Sequence, residues 1–324
     1  MSKCLGCLKE ITENNYCSAC LRNLFDNNKN IKPILYFDKN EFLKIRTELA
    51  DRISISGVQD KISLKIENNE LIPTEKKGLY ILKPVSVNPV PQFTEEIPAN
   101  EHLTIQIAKQ VFKMKTAENG LIHFSDGELA YITKRFDRVN GNKLRQEDFC
   151  QLLNETPENS GKKYKYDSSY EEVGKMIHFF LAASKIEVEK FYLQVLFNYV
   201  FGNGDAHLKN FSIIESSYGD YILSPAYDLI NTSVHFPNET RMALDLFNNF
   251  ETKSFKINGF YKRIDFVKFA EKLRVKWDRA DRFINDFKMK KDMVIELINR
   301  SFLKDNAKVR YLGIFEDRLK AIRD

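Results

Sequence analysis

The hydrophobic period of the chain changes near its middle, and this change constrains the fold more than any other feature. Before residue 138, apolar residues alternate or form short runs typical of strands, at residues 62–66, 79–83 and 128–136. Beyond Asn140-Gly141, a dipeptide typical of hairpin turns, the period becomes helical. The sequence therefore predicts an α+β fold with a β-rich first half and a helical second half.

Helical patterns lie on both sides of this boundary. Helices are predicted over residues 40–50, 99–113, 187–201, 266–273 and 294–302. Ser169 and Glu172 have the spacing of a capping box, which predicts the start of another helix. A hairpin is predicted over residues 211–214 and 221–223. The predicted segments are residues 1–25 (cysteine-rich), 26–51 (linker), 52–138 (β-rich) and 139–324 (helical).

Composition excludes several classes of protein. A chain of 324 residues with 43% hydrophobic residues can form a sizeable core, which excludes general disorder. Basic and acidic residues nearly balance, with a net charge of only +5, which is too small for extensive nucleic-acid binding. We therefore expect no direct DNA binding. No apolar run is long enough to span a membrane, and the N-terminus lacks the apolar core of a signal peptide, so we expect a cytoplasmic protein.

The first 20 residues contain two Cys-x-x-Cys pairs, Cys4 with Cys7 and Cys17 with Cys20. Pairs of this kind direct four thiolates toward one point, as tetrahedral Zn²⁺ requires. Four cysteines would leave no open coordination position, so the sequence predicts a structural zinc knuckle. The alternative is two disulfides or four free thiols. Disulfides are rare in a reducing compartment, so they fit the expected location less well. Cys150 stands alone and is predicted to be a small buried side chain.

The densest polar cluster follows the predicted helix 187–201. Within residues 202–210, Asp205 and Asn210 have the spacing of the aspartate and asparagine in a protein-kinase catalytic loop. Asp228 follows the next hairpin, where a kinase has its metal-binding aspartate. The alternative is a capped helix end at this loop and a helix cap at Asp228.

Lys83 ends a buried strand, which is a suitable place for a lysine that binds nucleotide phosphates. Glu101 in the next helix is its candidate partner, and an exposed lysine at a strand end is the alternative. Upstream, residues 52–61 contain small residues whose backbone N–H groups could cover phosphates. Their single glycine, Gly57, makes this a weak signal.

Together these segments resemble the HipA-like serine/threonine kinases. The matching residues are 54–61, 81–84, 134–138, 146–148, 204–212 and 227–228. The resemblance runs from about residue 52 to the C-terminus, and its most specific part is Asp205-x-His207-x-Lys209-Asn210-Phe211-Ser212. Full-length HipA toxins have a further N-terminal subdomain, and the cysteine-rich segment stands in its place here.

The resemblance implies a two-lobed, protein-kinase-like fold that uses ATP and Mg²⁺. Asp205 would be the general base, Asn210 and Asp228 the Mg²⁺ ligands, and Lys83 would bind the phosphates. The resemblance also implies a phosphate loop of Ser56, Gly57, Val58, Gln59 and Lys61, and a lining of the nucleotide site by His207, Lys209 and Tyr227. A hinge from Lys134 to Phe136 would face adenine, largely through its backbone. Autophosphorylation would modify Ser54 or Ser56, adding about two negative charges beside that loop.

Compact members of this family include toxins and a kinase that enters host cells. The resemblance therefore implies a protein substrate with a serine or threonine acceptor, and a bacterial antitoxin or a host protein as partner. Secretion without a signal peptide is one option. Two other functions stay open: a kinase that acts on a lipid or small molecule, and a nucleotide-binding module that does not turn over.

Overall fold

A computed structural model describes residues 2–12, 15–50, 60–86, 89–139 and 141–323. The predictions for Ser54, Ser56, Gly57, Val58 and Gln59 lie outside the described residues, as does that for Asn140. None of the described helices combines the length and apolarity that a membrane crossing requires.

The N-terminal segment packs against the rest of the molecule. It contains β1 (Ser2–Lys3), β2 (Glu10–Ile11), α1 (Ser18–Phe25) and α2 (Lys39–Ala50). We call β1, β2, α1 and the residues described between them the cysteine knuckle. Residues 26–51, where the sequence suggested a linker, place Phe37 and Phe42 in the same apolar cluster as Leu64 and Leu82 of the following sheet. Phe37 and Phe42 of this segment are therefore packed against the sheet.

A five-stranded antiparallel sheet forms the centre of the first lobe, with strand order β4-β3-β5-β7-β6. Its strands are β3 (Ile62–Glu67), β4 (Glu70–Pro73), β5 (Tyr80–Lys83), β6 (Asn119–His123) and β7 (Leu129–Lys134). The three predicted strands are confirmed, with ends shifted by two residues or fewer, because alternating or continuous apolar residues bury one or both faces of each.

Helix α3 (Ile97–Gln110) follows β5 and confirms the helix predicted there. It begins two residues earlier than expected because Pro98 occupies the first turn, where a missing N–H costs nothing. Every residue from 97 to 108 is buried. The helix therefore lies inside the molecule, between the sheet and the helical lobe, which explains its weak amphipathic pattern.

The second lobe is helical with small strands at its entrance. The hairpin predicted near Gly141 is confirmed by β8 (Arg138–Val139) and β9 (Asn142–Lys143). The strands β10 (Gln146–Asp148), β11 (Ser212–Glu215) and β12 (Tyr221–Leu223) form a three-stranded sheet. The helices are α4 (Phe149–Leu152), α5 (Pro157–Ser160), α6 (Tyr170–Phe180), α7 (Ser184–Val200), α8 (Lys253–Asn258), α9 (Arg263–Lys272), α10 (Trp277–Met289), α11 (Lys291–Arg300) and α12 (Asp305–Ala321).

Two predictions of local structure in this lobe are also confirmed. The Ser169 hydroxyl accepts a hydrogen bond from the Glu172 backbone N–H at 3.1 Å, which fixes the start of α6. Cys150 is buried, with 2% of its surface exposed. The core of the lobe is built around α7, where Phe201 stacks on Phe315 of α12 with ring centroids 5.0 Å apart. This rigid helix leads directly into the polar loop.

Candidate active site

The loop after α7 is shaped by Gly202 and Asn203. Gly202 has a φ of 62°, and a Cβ there would lie 2.6 Å from Asn231 Oδ1. The Asn203 amide donates to Asn198 Oδ1 at 2.8 Å, and its oxygen accepts from the Asp205 N–H at 3.2 Å. These bonds fix the backbone of Asp205 while about half of its side chain, 51%, stays exposed. The carboxylate is therefore accessible to a substrate.

Asn210 and Asp228 face each other across the site. The Asn210 side-chain oxygen accepts from the His207 N–H at 3.0 Å, and its amide nitrogen lies 3.3 Å from Asp228 Oδ2. Asp228 adopts a left-handed backbone with a φ of 53°. The amide and carboxylate oxygens are ligands of the kind that Mg²⁺ prefers. These two residues could therefore hold a divalent cation next to the loop.

Lys83 lies between two carboxylates. Its Nζ is 2.7 Å from Glu101 Oε1 and 2.5 Å from Asp228 Oδ1. Burial acts to lower the pKa of Lys83, but the charges of Asp228 and Glu101 outweigh it and raise the pKa above its usual range. Burial raises the pKa of Glu101 to about 7 even though Lys83 opposes the shift. Lys83 is thus a cation held at the centre of the site.

Two further predicted residues lie beside this cluster. Burial lowers the pKa of Lys61, while the charge of Asp228 acts in the opposite direction. The His207 Nε2 lies 4.0 Å from Asp205 Oδ2. Burial lowers the pKa of His207 to about 4, so its ring is neutral near pH 7.

An aromatic wall adjoins the polar cluster. The rings of Phe136 and Tyr227 lie 5.6 Å apart between centroids. The Tyr227 hydroxyl donates to the Lys209 carbonyl at 2.8 Å, which ties this wall to the loop. The Lys209 ammonium in turn donates to the Tyr164 hydroxyl at 3.2 Å. Together these contacts place two aromatic rings, tilted by 37° to each other, next to the loop that carries Lys209.

Lys134 differs from the other predicted residues. Its Nζ pairs with Asp26 Oδ1 at 2.5 Å, and its N–H donates to the Glu118 carbonyl at 2.7 Å. Both contacts are with the sheet and with the residue that follows α1, rather than in the polar cluster. The side chain therefore lies away from the cluster, and the hinge role of the backbone stays a prediction.

Sequence reasoning missed Tyr166, which lies in a 3₁₀ helix at Gly161–Tyr166. Its hydroxyl donates to Asp205 Oδ1 at 2.5 Å, and its ring meets the His207 ring edge-on at 5.4 Å. It also missed Glu239, whose Oε1 accepts from the Thr232 hydroxyl at 2.6 Å behind the loop. Tyr166 and Asp205 are 39 residues apart in sequence, and Thr232 and Glu239 are 7 apart. Neither Tyr166 nor Glu239 belongs to a local motif that could have revealed it.

The four N-terminal cysteines form a second site. Their sulfurs all lie within 4.8 Å of one another, and the Cys7 and Cys17 sulfurs are 3.7 Å apart. The Cys4 sulfur accepts N–H bonds from Gly6 at 3.4 Å and Cys17 at 3.2 Å. All four are free cysteines, and such N–H bonds favour the thiolate form. The cluster could hold a metal ion, and its donors fit tetrahedral Zn²⁺.

Comparison with known proteins gives one family match and several relatives. The model of the HipA-like C-terminal domain matches residues 53–294. A Haemophilus influenzae protein named "Putative kinase" is 29% identical over 94% of this chain and 92% of its own length. A serine/threonine-protein kinase toxin HipA of Shewanella oneidensis is 29% identical over 63% of this chain, which spans about half, 48%, of that toxin.

Solved structures show a similar fold. One is from the complex of the Shewanella oneidensis toxin–antitoxin system, HipA, HipB and operator DNA. It matches with a TM-score of 0.62 at 20% identity, over 83% of this chain and 64% of that chain. The Helicobacter pylori proinflammatory kinase CtkA matches with a TM-score of 0.50 at 17% identity, over 80% of this chain and 90% of that chain. At these identities the likeness concerns the fold alone.

Proposed function

The chain belongs to the family of the HipA-like C-terminal domain, and we propose that it is an ATP- and Mg²⁺-dependent serine/threonine protein kinase. One observation carries the proposal. Lys83 lies 145 residues before Asp228, and these two residues form one hydrogen-bonded cluster with Asn210 of the loop that carries Asp205. A cation, a carboxylate and an amide in this arrangement suit the binding of a triphosphate and a divalent metal.

Each residue has a distinct role in this proposal. Lys83 binds the phosphates, and Glu101 keeps its ammonium in place. Asn210 and Asp228 hold Mg²⁺, which supplies positive charge that neutralises the phosphate oxygens when it is bound. Asp205 accepts the proton of the acceptor hydroxyl, since its carboxylate is half-exposed and fixed at the mouth of the loop.

The remaining ATP contacts are proposals of the same kind. The Phe136 and Tyr227 rings contact the adenine, while Lys61, His207 and Lys209 line the nucleotide site. Autophosphorylation at Ser54 or Ser56 rests on the family resemblance, as does a phosphate loop at residues 56–61. Lys134 contributes to the adenine-facing hinge through its backbone. We also propose that Cys4, Cys7, Cys17 and Cys20 bind a structural Zn²⁺ ion.

The relative named a serine/threonine-protein kinase toxin supports the alternative of a toxin kinase, for which we propose a protein substrate and a bacterial antitoxin as partner. A secreted effector that phosphorylates host proteins has a narrower basis, because the likeness to the Helicobacter pylori kinase concerns the fold alone. A search for a small repressor gene beside the reading frame separates the two.

The test is ³²P transfer from labelled ATP to the protein itself and to a panel of protein, lipid and small-molecule hydroxyl acceptors. We expect Asp205→Asn to lower transfer by about 100-fold or more while Mg-ATP binding is retained. Asp220→Asn, at the exposed tip of the β11–β12 hairpin, is the matched control and should transfer at the wild-type rate. Equal labelling by wild type and Asp205→Asn would refute the proposed base.

Two other outcomes identify the alternatives. Transfer to a lipid or small molecule without protein labelling would indicate a kinase of another substrate class. Binding of ATP without transfer to any acceptor would indicate a nucleotide-binding module.

A further inference from the structure

The cysteine knuckle is attached to the edge of the sheet that leads to the active site. The Leu5 carbonyl accepts from the Leu121 N–H of β6 at 2.9 Å, and the Tyr16 hydroxyl donates to the Leu121 carbonyl. A Cβ at Gly120 would lie 3.1 Å from Leu24 and 3.3 Å from the Leu5 carbonyl oxygen. The knuckle backbone therefore approaches β6 as closely as a neighbouring strand would.

Helix α3 donates two side-chain hydrogen bonds to the first Cys-x-x-Cys loop. The His102 Nε2–H donates to the Gly6 carbonyl at 3.2 Å, and the Gln110 amide donates to the Cys7 carbonyl at 3.0 Å. Gly6 itself approaches the fourth cysteine, because a Cβ there would lie 2.7 Å from Cys20 Sγ. Both acceptor carbonyls thus belong to the loop that surrounds the thiols.

His102 is the residue next to Glu101, and the two side chains point to different sides of α3. Successive helical residues are rotated by about 100°. Glu101 reaches Lys83, while His102 is fully buried against the knuckle. The helical lobe holds α3 separately, through the Asn100 amide that donates to the Asn231 carbonyl at 2.9 Å. The position of Glu101 therefore depends on contacts that α3 makes with the sheet, the helical lobe and the knuckle.

The knuckle has little regular secondary structure of its own, and its residues Leu5, Leu24 and Phe25 pack into the apolar cluster of the sheet. Its strands β1 and β2 are two residues each, and α1 has eight. Four cysteine sulfurs within 4.8 Å of one another repel when ionised unless a cation lies between them. In small cysteine sites of this kind, metal binding and folding are the same event.

We propose that the metal-loaded knuckle is a positioning element of the kinase site: Zn²⁺ bound by the four cysteines fixes the carbonyls that hold α3, and α3 then holds Glu101 against Lys83. This inference rests on the proposed kinase function. Gln110 and His102 are positioning residues, since they act through the helix and touch neither nucleotide nor metal. Loss of the metal should therefore lower phosphoryl transfer without removing any active-site side chain.

The first experiment removes zinc from the full chain with a zinc-selective chelator while Mg²⁺ is kept in excess. Zinc content, ³²P transfer and amide hydrogen exchange are then measured before removal, after removal and after zinc is added back. We expect about tenfold or greater loss of kcat/KM, faster exchange in α3 and unchanged exchange in α7. Added zinc should restore both properties.

The second experiment leaves the thiols intact. Gln110→Leu removes the bond to the Cys7 carbonyl together with a bond to Gln106 Oε1 within α3. We expect lower transfer and faster exchange in α3 with zinc content unchanged. Lys109→Gln is the matched control, because Lys109 is the preceding helical residue and pairs with Glu118 instead. It should behave as wild type. Because Gln110→Leu leaves all four cysteines in place, it tests the inference without cysteine substitutions that could prevent folding.

The outcomes separate this inference from the kinase proposal. Zinc-loaded wild type that phosphorylates nothing would refute the kinase function, while the exchange data would still decide whether the metal holds α3. Active protein whose transfer and α3 exchange stay unchanged after complete zinc removal would refute the positioning role. Purified protein without stoichiometric zinc that is fully active would refute it as well.

Discussion

Lys83 Nζ lies 2.7 Å from Glu101 Oε1, and this buried ion pair joins β5 to α3. The exposed fractions of the two side chains are only 8% and 2%, so water screens the pair very little. Asp228 of the helical lobe pairs with the same ammonium at 2.5 Å. One cation therefore connects the sheet, the buried helix and the segment that follows β12, and substitutions at this point should affect all three.

Glu101→Gln should impair catalysis more than it impairs folding. The amide can still contact Lys83, but the charge that orients the ammonium is lost, and a hydrogen bond to a charged group contributes about 1.5–3 kcal/mol. We expect kcat/KM for ATP to fall by about 10-fold or more. Steady-state ³²P kinetics measure the effect, with Glu118→Gln, in the half-buried pair with Lys109, as control. Equal losses in both variants would contradict the role given to Glu101.

Tyr166→Phe should increase transfer to a protein acceptor. The Tyr166 hydroxyl donates to Asp205 at 2.5 Å, so it occupies a lone pair that an acceptor hydroxyl needs. Removing one hydrogen bond of about 1 kcal/mol should lower KM for the acceptor by about fivefold and leave KM for ATP unchanged. Tyr164→Phe, which removes the hydroxyl that contacts Lys209, is the comparison. A loss of activity in Tyr166→Phe would mean that the hydroxyl supports the base instead.

Stability should fall in mild acid because His235 is buried in its neutral form. Its Nδ1–H donates to the Gln92 carbonyl at 3.1 Å, and its Nε2 accepts from Asn100 at 2.8 Å. Burial lowers the pKa of His235 from 6.5 to about 4. The unfolded chain therefore binds more protons between these values, so this contribution is complete above pH 6.5 and is lost as the pH falls toward 4.

Urea unfolding at pH 7 and pH 4.5 measures this effect. Between these two pH values, His235→Gln should lose about 2–3 kcal/mol less free energy of unfolding than wild type, because glutamine does not titrate. His123→Gln, on the half-exposed end of β6, serves as the control and should retain the wild-type pH dependence. Identical pH dependence in wild type and His235→Gln would show that His235 does not carry the effect.

The elements that could be predicted from the sequence are those with strong local signals. The strands at β3, β5 and β7 follow apolar runs, the α6 start follows the Ser169 cap, and the cysteine cluster follows from two Cys-x-x-Cys pairs. The grouping of Asp205, Asn210, Asp228 and Lys83 was also predictable, because the family resemblance supplies the long-range register that spacing alone lacks.

The remaining features depend on contacts between distant segments. Tyr166 reaches Asp205 from a short 3₁₀ helix with no hydrophobic period, so no local pattern indicates it. The segment at residues 26–50 looks polar, yet it buries four apolar side chains at separate positions, Ile31, Leu35, Phe37 and Phe42, which are too widely spaced to form a clear local pattern. The family resemblance predicts a backbone role for Lys134 but not the side-chain ion pair with Asp26, which lies 108 residues away in the α1 cap.

Gly202→Ala should destabilise the protein at the entrance to the catalytic loop. The residue has a φ of 62°, where any residue with a Cβ costs about 1–2 kcal/mol. In addition, the new Cβ would lie 2.6 Å from Asn231 Oδ1 and 2.7 Å from Ile314 Cγ2, and overpacking of this kind costs about 1–3 kcal/mol. We therefore expect a loss of about 2–5 kcal/mol in the free energy of unfolding.

Gly219→Ala separates these two costs. Gly219 also has a left-handed backbone, with a φ of 83°, but a Cβ there would meet no described atom within 4 Å. It should therefore lose only the backbone cost of about 1–2 kcal/mol, measured by urea unfolding alongside Gly202→Ala. If both variants lose the same amount, Asn231 and Ile314 move aside without cost, and the tight approach of α12 to the loop does not fix the position of Asp205.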